Sequence, residues 1–227
     1  MIAKADQKQI LVQTEGLTLP GILGVPAGAQ GAVLFAHGSG SSRFSPRNNF
    51  VAEVLRQHRL ATLLIDLLTQ AEDQLYENRF DIELLTRRLA AVTHWLRTKS
   101  EVRHLPVGLF GASTGAASAL RLAAQLGEGI YAVVSRGGRP DLAEEFLARV
   151  SAPTLLIVGG ADDVVLELNR RAYEQLGAEK ELAVIPGATH LFEEPGALEA
   201  VADQAAEWFA RHLPAGNKPG RPAQAEA

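Results

Sequence analysis

The sequence predicts an α/β fold in which a mostly parallel sheet of about eight strands carries helices on both faces. Three observations favour it. Short apolar runs of strand length alternate with longer segments of helical periodicity. One of these runs passes directly into a Gly-x-Ser-x-Gly turn and an alanine-rich helix. The length of 227 residues and the apolar fraction of 47% suit one substantial core without a large cap domain.

The candidate strands are the short apolar runs, and the first two differ from the rest. Glu15-Gly16 stands between those two runs and predicts a tight antiparallel hairpin, because glycine readily adopts positive φ. Helical segments separate the later runs, which favours parallel pairing. The expected strands cover residues 9–13, 17–25, 32–36, 61–65, 106–110, 131–135, 154–158 and 182–185.

Two of the helical segments show a clear apolar face. Apolar residues in the segment 85–96 recur at spacings of four, three and four, and Asp81 is the expected N-cap of that helix. The same periodicity recurs at 198–209, the last helix. The chain after it is rich in Pro, Gly and Ala and has no large apolar side chains. We therefore expect one domain over residues 1–213 and a flexible tail over 214–227.

Composition limits the function classes. The chain has no cysteine, which excludes disulfides, a cysteine nucleophile and zinc sites built on thiolates. A net charge of −4 gives no sign of a nucleic-acid or membrane-binding surface. Residues 1–8 lack the apolar core of a signal peptide, so we expect a cytoplasmic protein. We expect it to be a monomer or a homodimer.

The segment from Leu109 to Gly115 is the strongest functional signal. A buried strand, the turn Gly111-Ala112-Ser113-Thr114-Gly115 and a helix follow one another, as in a nucleophile elbow. A side chain at position 111 or 115 would collide with the neighbouring helix or strand. We therefore expect Ser113 to be a nucleophile at the positive end of a helix.

A serine nucleophile needs a histidine to accept its proton and a carboxylate to orient that histidine. Sites in parallel sheets lie at the carboxyl ends of the strands, and His190 follows the last strand. Asp162 and Asp163 both follow the preceding strand. Asp162 is preferred because the Gly159-Gly160 turn leaves it nearer the strand end, and Asp163 is the alternative, with capping of the next helix as its other role.

The oxyanion hole requires two backbone N–H groups aimed at the developing negative charge. We expect one from Thr114, which follows the nucleophile, and one from Ser39 in the glycine-rich loop after the third strand. His37 opens that loop and is expected to brace it. Arg43 and Arg136 also stand near strand ends, where each could bind a substrate carboxylate or serve in an ordinary ion pair.

These residues resemble the α/β-hydrolase superfamily over about 9–213. The resemblance is carried by the His37-Gly38 loop, the Gly111–Gly115 elbow, the turn ending at Asp162 and the loop ending at His190. The compact size is similar to the dienelactone-hydrolase-like branch. Dienelactone hydrolases proper use a cysteine nucleophile, so the resemblance implies a relative with a serine nucleophile.

The expected function is hydrolysis of small carboxylic esters, lactones included, through an acyl-enzyme on Ser113. No metal or organic cofactor is expected, and the partner is a small-molecule ester. Thioester hydrolysis and acyl transfer could use the same three residues. A ligand-binding protein of this fold without catalysis is the alternative outside enzyme chemistry. A metal-dependent hydrolase is disfavoured because the sequence has no close His/Asp cluster with ligand spacing.

Overall fold

One eight-stranded sheet organises the molecule, with the strand order β1-β2-β4-β3-β5-β6-β7-β8. The computed structural model describes residues 7–217. The outer strands β1 and β2 pair antiparallel, β2 pairs antiparallel with β4, and every later pairing is parallel, which confirms the mostly parallel sheet. The strands are β1 Gln7–Thr14, β2 Leu17–Gly24, β3 Gly31–Ala36, β4 Leu60–Ile65, β5 Val107–Ala112, β6 Val133–Arg136, β7 Thr154–Gly159 and β8 Lys180–Ile185.

Helices cover both faces of the sheet, as the alternating pattern predicts. They are α1 Pro46–Gln57, α2 Gln70–Asp73, α3 Ile82–Leu96, α4 Thr114–Leu126, α5 Glu144–Leu147, α6 Asp163–Gln175 and α7 Ala197–Arg211. Helices α1 and α7 bury Leu55 and Phe209 against one face. On the other face, α3 and α4 bury Leu89 and Leu120. The periodicity of residues 85–96 therefore marks the buried side of α3.

The central strands are buried along their whole length. Within β3, neighbouring side chains pack on opposite faces: Leu34 belongs to the core under α3 and α4, and Phe35 to the core under α1 and α7. A strand buried on both faces has no reason to alternate polar and apolar residues, which explains the continuous apolar runs in the sequence. Because these strands pair in parallel, the carboxyl ends of β3, β5, β6, β7 and β8 share one edge of the sheet.

The turn and the helix cap expected from the sequence are present, whereas the expected bounds of one strand differ from the observed ones. Glu15 and Gly16 both have positive φ in the β1–β2 hairpin. Asp81 caps α3 by accepting a hydrogen bond from the Leu84 amide at 2.9 Å. The sixth strand was expected at 131–135 but its ladder runs from Val133 to Arg136, in parallel register with β5 and β7.

The link between β4 and α3 covers residues 66–81, and within residues 7–217 no large cap domain is inserted between the elements of the sheet. It contains α2, a single helical turn, and a 3₁₀ turn at Tyr76–Phe80. At the other end of the chain, Ala215–Asn217 form a 3₁₀ turn, and residues 218–227 of the expected tail lie outside the described residues. Within 7–217, every helix is too short or too polar to cross a lipid bilayer.

Candidate active site

Ser113 occupies a sharp turn between β5 and α4. Its φ of 51° and ψ of −121° fall in a region that side-chain-bearing residues rarely adopt. Such a conformation costs roughly 1–3 kcal/mol and persists only where surrounding contacts impose it. Three backbone hydrogen bonds hold it: the Ser113 amide donates to the Arg136 carbonyl at 3.2 Å, and the Arg139 and Ala116 amides each donate to the Ser113 carbonyl at 3.1 Å. The strand-to-helix turn expected from the sequence is therefore present.

The two glycines of the turn allow close packing, as the sequence predicts. A Cβ atom at Gly111 would lie 2.4 Å from the Cα of Ala116 in α4. A Cβ atom at Gly115 would lie 2.2 Å from the carbonyl oxygen of Ala36 in β3. Both distances are far shorter than any real contact of a Cβ atom, so the turn cannot form in this way with larger residues.

Asp162 and His190 lie in direct contact. His190 Nδ1 is 2.7 Å from Asp162 Oδ2, and the Asp162 side chain is only 15% exposed. This contact leaves Nε2 of the imidazole available to a second partner. Asp163, the alternative acid, is exposed and is the first residue of α6. Of the two neighbouring aspartates, Asp162 is the one that contacts the histidine.

Backbone contacts between the loops after β7 and β8 bring this pair together. The Gly160 amide donates to the Ile185 carbonyl at 2.8 Å, and the Ala161 amide donates to the Ala188 carbonyl at 2.9 Å. A Cβ atom at Gly159 would lie 2.3 Å from the Ala188 carbonyl oxygen, so glycine is required there. The Gly-Gly turn in the sequence thus allows the two loops to pack directly on each other.

The turn that carries His190 is anchored on both sides. Phe192 has a φ of 55° and is 1% exposed, with its ring in the core under α1 and α7. The Thr189 hydroxyl donates to Glu194 Oε1 at 2.7 Å. That hydrogen bond, with the backbone amides of Glu194 and Thr189, holds the pKa of the Glu194 carboxyl below its ordinary value.

Ser113 and His190 border the same segment, the end of β6. The Arg136 carbonyl accepts the Ser113 amide, and a Cβ atom at Gly137 would lie 3.5 Å from His190 Cε1. Ser113 Oγ makes no hydrogen bond to His190 in this structure. Catalytic hydrogen bonds are often long in a resting site and shorten when substrate binds. The structure therefore joins Asp162 to His190 directly and brings Ser113 near them.

The expected oxyanion loop packs directly on the elbow. A Cβ atom at Gly38 would lie 3.0 Å from Ser113 Cβ and 3.7 Å from Ser113 Oγ. The Ser39 amide donates to the Thr114 hydroxyl at 2.9 Å. Both expected donors thus border the nucleophile, but the Ser39 N–H already has an acceptor. It could reach a substrate oxygen only by sharing or exchanging that bond.

His37 braces the loop, and its side chain forms no hydrogen bond with Asp162 or Ser113. Its Nδ1 is 3.0 Å from the Gly38 carbonyl, and its Nε2 accepts a hydrogen bond from the Leu67 amide at 3.3 Å. This agrees with the structural role expected for it and connects the oxyanion loop to the end of β4.

The two candidate substrate-binding arginines have different surroundings. Arg43 forms an ion pair with Asp66, and the Arg43 amide donates to the same carboxylate at 2.6 Å. Arg136 is 9% exposed, and its nearest polar partner is Asn48 Oδ1, 3.3 Å from its Nη2. Arg43 is therefore engaged in an ordinary ion pair, whereas Arg136 has no carboxylate partner among the described residues.

A cavity of about 510 Å³ lies beside the oxyanion loop. Its lining includes His37, Ser41 and Ser42 from the oxyanion loop, together with Leu68 and Thr69 from the link after β4. Its size suits a small ligand. The segment 67–79 thus contributes to a cavity wall near the site. Across residues 7–217, no group of three or more His, Asp or Glu side chains could hold a metal ion.

Sequence reasoning missed the residues that support the site from a distance. Thr189 and Glu194 stand in the His190 loop at a spacing that suggests no interaction. Asn48 contacts Arg136 from 88 positions earlier in the chain. The positive φ of Phe192 has no signal in the sequence, because bulky residues rarely adopt it.

The sequence of this chain matches one protein-family model and several curated relatives. The dienelactone hydrolase family model matches residues 57–213. A Mycobacterium tuberculosis protein with the provisional name phosphoribosyl transferase is 56% identical over 206 residues. That match covers 91% of this chain but 46% of the relative, so the chain spans about half the length of the curated relatives it matches.

Solved structures agree with the fold. This chain is 55% identical in sequence to a dienelactone hydrolase from Anabaena variabilis, whose crystal structure superposes with a TM-score of 0.90. The match covers 93% of this chain and 100% of the Anabaena chain. Est1E from Butyrivibrio proteoclasticus has a TM-score of 0.79 at 17% identity, with 90% of this chain and 98% of that chain covered. The second likeness shows the shared fold alone. The family model and the Anabaena structure together show that this chain belongs to the dienelactone hydrolase family.

Proposed function

We propose that this chain is a serine hydrolase that cleaves small carboxylic esters, lactones included, through an acyl-enzyme on Ser113. The observation that carries the proposal is the 2.7 Å contact between His190 Nδ1 and Asp162 Oδ2, close to a serine held at positive φ. Membership in the dienelactone hydrolase family supports hydrolase chemistry. The serine nucleophile and the carboxylic ester substrate are our own inferences.

The first half of the proposed reaction acylates the enzyme. Ser113 Oγ attacks the ester carbonyl carbon and transfers its proton to His190 Nε2, while Asp162 stabilises the imidazolium. The Thr114 amide stabilises the negative charge on the tetrahedral intermediate, and the Ser39 amide joins it by exchanging its hydrogen bond to the Thr114 hydroxyl for one to the substrate oxygen. The C–O bond to the alcohol then breaks, and His190 returns the proton to the departing alkoxide.

The second half repeats these steps with water. His190 accepts a proton from water, the hydroxide attacks the acyl carbonyl, and collapse of the second intermediate frees Ser113 and the carboxylic acid. Every proton taken by His190 is returned within the same half-reaction. In this scheme the proposed roles of Ser113, His190 and Asp162 account for each proton transfer.

Apart from the name of one relative, no observation on this chain favours phosphoribosyl transfer. That name belongs to a relative of which this chain matches 46%. The matched region of this chain contains Ser113, Asp162 and His190 in the arrangement described above. We therefore propose no second function for it.

The test is hydrolysis of short p-nitrophenyl esters by the wild type and by Ser113→Ala. We expect turnover by the variant to fall on the order of 10⁴-fold or more with an unchanged circular dichroism spectrum. His190→Ala should lose a comparable factor. Undiminished ester hydrolysis by folded Ser113→Ala would contradict the proposal.

A further inference from the structure

Asn169 is a fully buried amide in the middle of α6. Its Nδ2 atom donates to the Gly138 carbonyl at 3.0 Å and to the Val165 carbonyl at 2.8 Å. Its Oδ1 atom is buried and finds no donor among residues 7–217. The bond to Val165 stays within the helix, whereas Gly138 lies outside α6, 31 positions earlier in the chain. The amide therefore joins α6 to the segment that follows β6.

An asparagine at this position is unfavourable for folding alone. Asparagine is a poor helix former in a helix interior, and a buried oxygen without a donor costs free energy. Departures of this kind from the residue that local stability favours occur most often at functional sites. The bond to the Gly138 carbonyl is what Asn169 provides and an apolar residue of similar size could not.

The segment that accepts this bond, residues 136–139, supports the proposed nucleophile, and we call it the support segment. The Arg136 carbonyl accepts the Ser113 amide at 3.2 Å, and the Arg139 amide donates to the Ser113 carbonyl at 3.1 Å. These bonds hold Ser113 at its positive φ from both sides of the residue. The Gly138 carbonyl lies between them in the chain, so a shift of that carbonyl would be transmitted to the elbow.

The support segment also borders His190. A Cβ atom at Gly137 would lie 3.4 Å from the His190 carbonyl oxygen and 3.5 Å from His190 Cε1. Asp162 is the N-cap of α6, and Asn169 follows it by about two helical turns. One side-chain bond thus connects the helix that begins at the proposed acid with the segment that borders both the nucleophile and the base.

The other contacts of the support segment come from different elements. A Cβ atom at Gly138 would lie 2.7 Å from the Cβ of Ala116 in α4, so this side of the segment is closely packed. The Gly137 amide donates to the Ile157 carbonyl of β7 at 2.7 Å. Asn169 adds a side-chain hydrogen bond from α6, the helix that carries Asp162 at its start.

We propose that Asn169 is a positioning residue for ester hydrolysis: by holding the Gly138 carbonyl, it fixes the support segment and with it the relative placement of Ser113 and His190. This inference rests on the proposed function, because it assigns a role within the same site. Asn169 contacts no reacting atom in this scheme. Loss of its bond to Gly138 should slow the chemical steps, since small displacements of reacting groups are costly, and leave substrate binding nearly unchanged.

The kinetic test replaces the amide with an apolar side chain of similar volume. In Asn169→Leu the Gly138 carbonyl loses its donor, and we expect kcat for p-nitrophenyl acetate to fall about tenfold while KM stays within about twofold. Ala172→Gly is the matched control, because it weakens the same helix through backbone entropy and changes no donor to the support segment. Its kcat should stay within about twofold of the wild-type value even though its melting temperature falls.

A second variant separates the hydrogen bond from the shape of the side chain. Asn169→Asp keeps the shape, but its carboxyl group can donate to the Gly138 carbonyl only when protonated. Burial raises the pKa of a carboxyl group introduced at this depth. The ratio of variant kcat to wild-type kcat should therefore rise as the pH falls from about 8 to about 5, and the ratio removes the pH dependence that both proteins share.

Amide hydrogen exchange, followed by NMR, is independent of catalysis. The Ser113 and Arg139 amides both form the hydrogen bonds that join the elbow to the support segment. In Asn169→Leu these two amides should exchange about tenfold faster than in the wild type, because the segment opens more readily without its bond to α6. In Ala172→Gly they should keep rates close to those of the wild type.

The outcomes distinguish this inference from the proposed function. Equal kcat for Asn169→Leu and Ala172→Gly would overturn the positioning role while leaving serine hydrolysis intact, and so would a rise in KM at unchanged kcat. Should Asn169→Leu fail to fold, a kcat ratio for Asn169→Asp that does not change with pH would overturn the role by itself. Ester hydrolysis that survives Ser113→Ala would overturn the proposed function, whereas the exchange rates would still report whether Asn169 holds the elbow.

Discussion

His190 and Asp162 are 28 positions apart in the sequence, yet His190 Nδ1 lies 2.7 Å from Asp162 Oδ2. The contact depends on two loops that pack directly on each other through Gly159 and Ala188. It gives the imidazole a fixed orientation, with Nε2 free to face the nucleophile. The neighbouring carboxylate of Asp163 is exposed and takes no part in this contact.

The first prediction separates these two aspartates. Asp162→Asn should lower kcat for ester hydrolysis roughly 10³- to 10⁴-fold, because the amide no longer stabilises the imidazolium or its tautomer. Asp163→Asn makes the same chemical change at an exposed residue, and its kcat should stay within a factor of about two of the wild-type value. Steady-state kinetics with one ester measures both, and equal losses would show that the structure assigns the acid wrongly.

The second prediction concerns the close packing at the elbow. Gly115→Ala should lower the free energy of unfolding by about 1–3 kcal/mol, because its Cβ would lie 2.2 Å from the Ala36 carbonyl oxygen. Gly177→Ala is the matched control, since the nearest atom to its Cβ is 3.9 Å away. Urea unfolding measures both changes. A Gly115→Ala protein as stable as the control would contradict this account of the turn.

The third prediction addresses the bond between the Ser39 amide and the Thr114 hydroxyl, 2.9 Å long. Thr114→Val keeps the shape of the side chain but removes the acceptor, so the oxyanion loop loses its attachment to the elbow. We expect kcat to fall on the order of tenfold to a hundredfold. Thr114→Ser retains the hydroxyl and should recover most of the activity. If the valine variant matched the serine variant, the bond would have no role in positioning the loop.

The fourth prediction follows from the lowered pKa of Glu194. The Thr189 hydroxyl is the first cause of that lowering, so Thr189→Val should raise the pKa of Glu194 toward its ordinary value. A depressed carboxyl pKa stabilises the fold above the pKa of the unfolded chain, and this stabilisation is lost as the pH falls through the folded pKa. The stability difference between wild type and variant should therefore be present at neutral pH and disappear in acid.

Carboxyl-carbon NMR titration of Glu194 measures the pKa directly, and thermal melts across the acid range follow its consequence. Glu193, whose carboxylate accepts a hydrogen bond from Arg47 and not from Thr189, serves as the internal reference in the same spectra. An unchanged Glu194 pKa in Thr189→Val would show that the hydrogen bond does not form in solution.

The sequence predicted the parts of this molecule that depend on local chemistry. The elbow at Ser113 follows from glycines that no larger residue can replace, and the parallel order follows from apolar runs separated by helices. The contact between His190 and Asp162 could be expected because both residues follow strands, and strand ends share one edge of the sheet.

The environment of the arginines could not be predicted in the same way. Arg43 and Arg136 look equivalent in the sequence, each near a strand end. Arg43 pairs with Asp66, 23 positions away, whereas the only side-chain hydrogen bond of Arg136 within residues 7–217 is to Asn48, 88 positions away. Such pairings are set by how helices and loops pack on the sheet, and neither periodicity nor spacing carries that information. Phe192 combines a positive φ with burial in the core, and no local feature of the sequence indicates either property.

The central claim is that Ser113 is a nucleophile activated by His190 and Asp162. Its most direct test is reaction of the folded protein with a fluorophosphonate probe, followed by intact-mass measurement and peptide mapping. We predict one adduct, on the peptide that contains Ser113, that is absent in Ser113→Ala and formed much more slowly in His190→Ala. An unlabelled wild type, or an adduct that persists at another residue in Ser113→Ala, would contradict the claim.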